Sequence, residues 1–357
     1  MSAAQTTPTR PAPPTAGAAG AGASARSRRR GPALLIVLAL LAAAVLASIL
    51  IGANPLSPAR VWHALAELDD PVSPDGVIVA DRVRRTVVGV VIGVSLAAAG
   101  AAMQGVTRNP LGDPGILGIN AGAAATVVLG ITLLGISGTM AIAVWALIGA
   151  GLAAVVVYAI ASIGREGATP IKLALVGAAF SAGAASLTSA MNLQHQETLD
   201  SFRRWQLGAL TRASYADVLI LLPLILLGLL LTVGMARSVN SFALGDDMAR
   251  ALGTRVGPAR ALVFAGVTLL CGAGVALAGP IAFVGLMVPH AVRSLTGPDY
   301  RWILPLSALA GPVVLLLADA VGRVVLPPTE VEVGVSMAVV GVPVFLAMIR
   351  SRKAMSL

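Results

Sequence analysis

The chain has 357 residues, 57% of them hydrophobic and 11% charged, with a formal net charge of +9 and a mean hydropathy of +0.88. A soluble globular domain carries about 25% charged residues, so this composition excludes an ordinary water-soluble fold and points to a polytopic membrane protein. The positive balance does not indicate nucleic acid, because the arginines are scattered between apolar runs and form no basic face interleaved with aromatics.

Residues 1–31 are rich in Pro, Ala, Thr and Ser and close on RSRRR, Arg26 to Arg30, which reads as a disordered basic tail. The apolar run that follows is long for a signal-peptide core and reads as a first span. At about 20 apolar residues per crossing, ten candidate spans lie near 33–52, 86–106, 116–135, 139–162, 169–193, 214–236, 257–279, 280–292, 302–325 and 333–350. Gly and Pro interrupt the third and the eighth, and the eighth is short. Broken or short helices are tolerated only where protein or a water-filled cavity satisfies the backbone, so both are expected inside the bundle. Residues 32–357 therefore read as one all-α, ten-span membrane domain.

With the N-terminus placed in the cytoplasm, most of the 25 basic residues fall inside, which supports ten spans with both ends cytoplasmic. Arg60, Arg82, Arg84, Arg85, Arg203, Arg204, Arg212 and Arg323 fall outside and need another reason. Gly89 and Gly93, Gly118 and Gly122, and the alanines around Gly100 make faces that let helices approach closely. Spans two to five and seven to ten are candidates for related halves.

Two hydrophilic loops stand out. TRNPLGDPGILG, Thr107 to Gly118, holds Asn109-Pro110 and Asp113-Pro114 and is short enough for a rigid re-entry. SFALGDDMARALGTRVGPAR, Ser241 to Arg260, begins a short helix with Asp246 and Asp247, where carboxylates suit a helix N-terminus, and places Gly253 to end it. Such a helix, held by spans on both sides, is suited to receive a push from a partner.

Catalytic signals are nearly absent. The sequence has no HExxH, CxxC or GxSxG and no phosphate-cradling GxxxxGK[ST]. His63, His195 and His290 lack ligand spacing, and Cys271 sits within an apolar run, so neither a metal site nor an intramolecular disulfide is expected. The one carboxylate deep in a span is Asp319, four residues before Arg323 on the same helix face, which reads as charge compensation that leaves Arg323 free for a second task. An ion-coupled secondary transporter would show intramembrane carboxylates in paired positions, and Asp319 stands nearly alone.

The motifs QGVTRNPLGDPGILGINAGA (Gln104 to Ala123), ARALGTRV (Ala249 to Val256), AGPIAFVGLMVPHAVRSLTGPDYR (Ala278 to Arg301), ADAVGR (Ala318 to Arg323) and GVPVF (Gly341 to Phe345) resemble the iron-siderophore, or FecCD-type, permeases, in family order from about residue 33 onward. These are membrane subunits of type II ABC importers, a group that includes the cobalamin and haem permeases. The resemblance implies a bacterial inner-membrane permease that dimerises with an identical or related chain. It also implies two cytoplasmic ATPase subunits carrying the ATP and magnesium, an extracytoplasmic binding protein, and no cofactor on this chain. Ferric siderophore is the implied cargo, with cobalamin, haem or another metal chelate as the alternative.

The resemblance assigns binding-protein docking to Arg82, Arg85 and Arg323, and ATPase coupling near 241–256 to Asp246, Asp247, Ala249, Leu252 and Gly253. Gln104, Asn109, Pro110, Gly118, Gly279, Pro280, Gly285, Pro289, His290, Arg293 and Asp319 are its structural motif positions. Two places differ from the family pattern, Arg84 and Glu332 standing where prolines are usual. Within FVGLMVPHAVR, Pro289 is expected to break the eighth helix at the cytoplasmic face, with His290 and Arg293 capping carbonyls at the head-group boundary.

Overall fold

A computed structural model describes residues 16–352 apart from 69, 165, 166 and 195; His195 and Lys353 thus lie outside the described residues. The described chain is helical throughout, in the order α1 (Ala16–Leu50), α2 (Pro58–Ala64), α3 (Pro74–Thr107), α4 (Ile119–Leu134), α5 (Thr139–Ala161), α6 (Pro170–Gln194), α7 (Gln196–Gln206), α8 (Tyr215–Gly234), α9 (Ala236–Phe242), α10 (Asp246–Ala251), α11 (Val256–Ala278), α12 (Val284–Thr296), α13 (Tyr300–Val325) and α14 (Val333–Arg352). Among the described residues seven helices are long and apolar enough to cross a membrane, and Ile119–Leu134 and Val333–Ala347 are shorter apolar helices. With the 13-residue α12, these occupy the ten regions expected from hydropathy.

The inner helices are α3, α11 and α13, while α1, α6 and α8 turn most of their surface outward. That exposed surface is Leu, Ile and Val, including Leu35, Leu175 and Leu230, as a lipid-facing surface requires. The small-residue faces close the centre. A Cβ on Gly93 would stand 2.5 Å from the Pro312 nitrogen, and one on Gly100 would stand 2.1 Å from the Gly285 carbonyl oxygen, so α3 meets α13 and α12 backbone to backbone.

Three elements differ from expectation. The second span begins at Pro74, twelve residues early, because Ser73 caps the helix by accepting from Gly76 N at 2.9 Å with Pro74 in the first turn. Arg82, Arg84 and Arg85 are therefore helical residues and do not precede the span. Helix α1 starts at Ala16, so residues 16–31, expected within a disordered tail, carry helical backbone. Their alanine content favours extending an existing helix, and the membrane-length apolar part is Arg30–Leu50. Helix α7 lies in a stretch that hydropathy had left between two spans; it is too polar to register as a span.

The eighth span requires a correction. Helix α12 does not break at Pro289. It continues to Thr296, and Gly297, at φ +82°, ends it. Proline removes one N–H, leaving the carbonyl four residues earlier without its donor, and that carbonyl belongs to Gly285. Gln104 on α3 donates to it from Nε2 at 3.2 Å and to the next carbonyl, of Leu286, at 3.1 Å. A side chain from another helix thus replaces the missing bond.

Candidate functional site

Helix α3 runs the length of the bundle, and its two ends carry the charged groups. At its N-terminal end, Arg82, Arg85 and Arg323 come together with Asp319, Glu330 and the last turn of α1. Arg85 donates to Asp319 Oδ1 at 2.9 Å and also pairs with Glu330. Arg323 donates to the Ser48 carbonyl at 2.8 Å and to Ser48 Oγ at 3.1 Å, and lies 3.0 Å from Asp319 Oδ2. Arg82 donates to the carbonyls of Ile49 at 3.1 Å, Leu50 at 3.0 Å and Asn54. The carbonyls of Ser48, Ile49 and Leu50 are among those a helix end leaves unpaired. Two guanidinium groups satisfy them and complement the negative end of the α1 dipole.

The compensation expected of Asp319 and Arg323 is present, but Arg85 shares it, and Arg323 is not left free. Asp319 and Arg323 are each 1% exposed, Arg82 4% and Arg85 5%. These arginines are therefore internal fasteners of α1, α3 and α13, and they differ from the rim charges expected of a docking face. They line a cavity of about 210 Å³ together with Asp81 and Glu330. Arg84 turns elsewhere, donating to the carbonyls of Thr211 at 3.0 Å and Ala213 at 2.9 Å.

At the other end, Asp246 opens α10 and accepts from Arg108 and from Arg260, the latter at 3.0 Å. Arg260 also donates to the Ala168 carbonyl at 2.9 Å, and its guanidinium lies 5.4 Å from the Phe242 ring centre. Asp246 therefore ties α10 to the end of α3 and to α11. Arg108 adopts φ +52°, a conformation unfavourable to a residue with a Cβ, as the left-handed C-cap of α3, where the N–H of Asn109 bonds back to the Gln104 carbonyl at 3.3 Å. Burial and the neighbouring Arg260 push the Arg108 guanidinium below its ordinary pKa.

Helix α10 ends in a Schellman motif: Gly253 N donates to the Arg250 carbonyl and Thr254 N to the Ala249 carbonyl, both at 2.9 Å, with Gly253 at φ +83°. Ala249 is fully buried and anchors the helix, while Asp247, Met248 and Leu252 face outward. Beside them Leu244 and Leu111 are also exposed. The other outward residues of this short helix, Asp247 and Arg250, are charged, so apolar and charged side chains share the exposed face at this end of the bundle. Arg108 and Arg260 were legible in the sequence only as topology charges, since nothing local marks them as partners of Asp246.

The remaining motif positions lie in turns and close helix contacts. Asn109 Oδ1 accepts from Leu111 N at 2.9 Å across the turn that holds Pro110. Asp113 caps a single 3-10 turn, Pro114–Leu117, and Gly118 at φ +70° opens α4. A Cβ on Gly279 would stand 2.2 Å from the Trp205 carbonyl oxygen, and the Pro280 carbonyl lies against Gly208. His290 is buried. Arg293 does not cap a carbonyl as expected: it donates to the Tyr300 hydroxyl at 2.5 Å, with its guanidinium 5.3 Å from that ring centre. Among the described residues no three His, Cys, Asp or Glu side chains gather where they could hold a metal ion.

A lipid-exposed helix bundle with one fastened charged end, and a short anchored helix protruding at the other, defines a multi-pass membrane transport subunit. The chain belongs to the FecCD transport family, which matches residues 40–351. It is 40% identical over 318 residues to the ferric enterobactin transport system permease protein of Escherichia coli, covering 88% of this chain and 94% of that one. It is 36% identical over 317 residues to the iron(3+)-hydroxamate import system permease protein of Bacillus subtilis, covering 88% and 82%. Its fold matches a metal-chelate type ABC transporter solved in an inward-facing conformation, with a TM-score of 0.77 and 25% identity over 90% of this chain and 99% of that one.

Proposed function

We propose that this chain is the permease subunit of an ATP-driven importer that carries ferric siderophores across the bacterial inner membrane, with both termini in the cytoplasm. The observation that carries the reading is that permease proteins for two chemically different iron chelates each align over 88% of the chain. The α10 end would then face the cytoplasm, where its exposed Met248 and Leu252 receive an ATPase subunit, and two such permeases would enclose the pathway. The Arg82, Arg85 and Arg323 end would face outward. There the exposed carboxylate edge of Glu330 and the cavity beside it form the surface a binding protein meets, the arginines acting behind it.

The test is uptake of radiolabelled iron by cells with and without the gene, presented as ferric siderophores of several classes beside labelled cobalamin and haem, with ATP present or depleted. Gene-dependent, ATP-dependent uptake of a ferric siderophore supports the reading. Uptake that survives ATP depletion and collapses with the proton gradient overturns it.

A further inference from the structure

Helices α5 and α11 part to leave a groove of about 470 Å³, with the buried Leu117 in its inner wall. Val155 in its lining is exposed, as are Leu152 and Leu262 beside it, so the groove opens on the apolar perimeter of the bundle. Its lining is apolar apart from Tyr158 and Thr268. Thr268 is committed to the Phe264 carbonyl at 2.8 Å, and the Tyr158 ring packs edge-on against Phe264 at 5.5 Å. A Cβ on Gly151, also in the lining, would meet no atom within 4 Å. Apolar hollows of this kind are not filled by water, and a bundle surrounded by lipid offers an acyl chain instead.

The Tyr158 end of the groove is basic. Arg260 donates to the Ala168 carbonyl at 2.9 Å, which holds the connection after α5 against α11. Lys172 donates to two carbonyls of that same connection, of Ile163 at 3.2 Å and Gly167 at 3.4 Å, and Arg255 stands exposed at the N-cap of α11. Among the described residues neither Lys172 nor Arg255 forms a salt bridge, whereas Arg108, Arg250 and Arg260 at this end of the bundle each do. Arg255 lies six residues before Ala261 of the groove lining, about 9 Å along the axis. The headgroup layer beyond the hydrocarbon is about 5–8 Å deep on each side of a bilayer, so a lipid with its chain in the groove carries its phosphate at that level.

We propose that this groove binds an anionic phospholipid, with an acyl chain between α5 and α11 and the phosphate held by Arg255 and Lys172. Two cations without a carboxylate partner at the mouth of an apolar groove complement a lipid of net negative charge, and basic pockets between membrane helices select such headgroups. A zwitterionic lipid fits the groove equally well but brings its own cation to the same place, so the head, not the chain, sets the preference. The bound lipid splints α5 to α11 beside Arg260, whose guanidinium also holds Asp246 of α10. The site requires only that the chain crosses a membrane and is independent of the cargo.

The test titrates the full-length protein, purified and delipidated in detergent, with dioleoyl phosphatidylglycerol or dioleoyl phosphatidylcholine. Native mass spectrometry counts the bound lipid, and thermal unfolding reads its effect. Wild type is expected to hold phosphatidylglycerol more tightly than phosphatidylcholine and to melt later with it. Gly151→Leu puts a side chain into space that no protein atom occupies, so it should fold and lose the tightly held lipid of either kind. Arg255→Gln combined with Lys172→Gln leaves the groove intact and lowers the preference for phosphatidylglycerol, by about fivefold for each charge removed. Equal binding of the two lipids by wild type overturns the site, and so does a preference that neither variant alters. Oxidation of Val155→Cys in native membranes distinguishes the other occupant: the chain is expected to stay monomeric on a non-reducing gel, and disulfide-linked dimers would seat a second copy in the groove and overturn the lipid site.

Discussion

Gln104 supplies the hydrogen bond that Pro289 cannot. Its Nε2 lies 3.2 Å from the Gly285 carbonyl, the acceptor that the amide of residue 289 would take in an uninterrupted helix. Both residues are buried, so without this donor the carbonyl would be unpaired in the interior of the bundle. The close approach that permits the bond comes from Gly100 and Gly285, where neither backbone leaves room for a Cβ.

Gln104→Leu is expected to destabilise the protein by about 1–3 kcal/mol, the cost of stranding a buried acceptor. In a Pro289→Ala background the backbone regains its own donor, and the same Gln104→Leu change costs less. Thermal unfolding of the four proteins in detergent completes a double-mutant cycle, and a coupling near zero would show that the two residues act independently.

Asp319 neutralises two buried guanidinium groups, so Asp319→Asn leaves Arg85 and Arg323 underpaired. Breaking a buried ion pair from one side costs about 3–5 kcal/mol. The expected result is poor yield and an early melting transition, whereas Glu330→Gln, at the partly exposed edge of the same network, is expected to be mild. Fluorescence-detected size exclusion of both variants at rising temperature measures the contrast.

Asp246 fastens α10 to the end of α3 and to α11, and the partner-facing reading of that helix makes the clamp part of force transmission. Asp246→Ala is expected to reduce transport-coupled ATP hydrolysis severalfold in a reconstituted complex that still assembles. Asp247→Ala, whose carboxylate is fully exposed and paired only with Arg250 on the same helix, has a smaller effect on hydrolysis. Equal effects would locate the loss in the surface charge of α10 and not in its anchoring.

Asp299 caps α13 and gathers groups from three helices, accepting from Asn240 at 2.8 Å, Arg301 at 3.0 Å and Arg30 at 3.4 Å. Burial alone would raise its pKa, but hydrogen bonds from Arg301 and Asn240 and the Arg301 charge hold it down at about 2. The unfolded value is about 3.9. The stabilisation is therefore complete above the unfolded value and is lost as pH falls toward the folded one. The melting temperature of wild type should exceed that of Asp299→Asn at pH 7, and the gap should narrow between about pH 4 and pH 2. A gap constant over that range would assign the effect to the cap geometry.

Hydropathy alone located the ten apolar regions and the weakness of the third and eighth, because lipid demands long apolar runs wherever a helix crosses unaided. Motif order alone indicated the family, and the turn chemistry of Gly253 and of Asn109-Pro110 was legible because it acts over a few residues. Helix α7 escaped notice because its 11 residues are mostly polar and give hydropathy no apolar run to detect. The continuity of α12 through Pro289 depends on Gln104, 185 positions earlier, and the clamp on Asp246 depends on Arg108 and Arg260. For Arg82, Arg85 and Arg323, sequence could assign a charge and an end of the bundle, but only the convergence of α1, α3 and α13 decides that those charges are internal. Bonds between distant segments have no sequence period, and a guanidinium's role is set by which carbonyl or carboxylate the packed helices bring within about 3 Å.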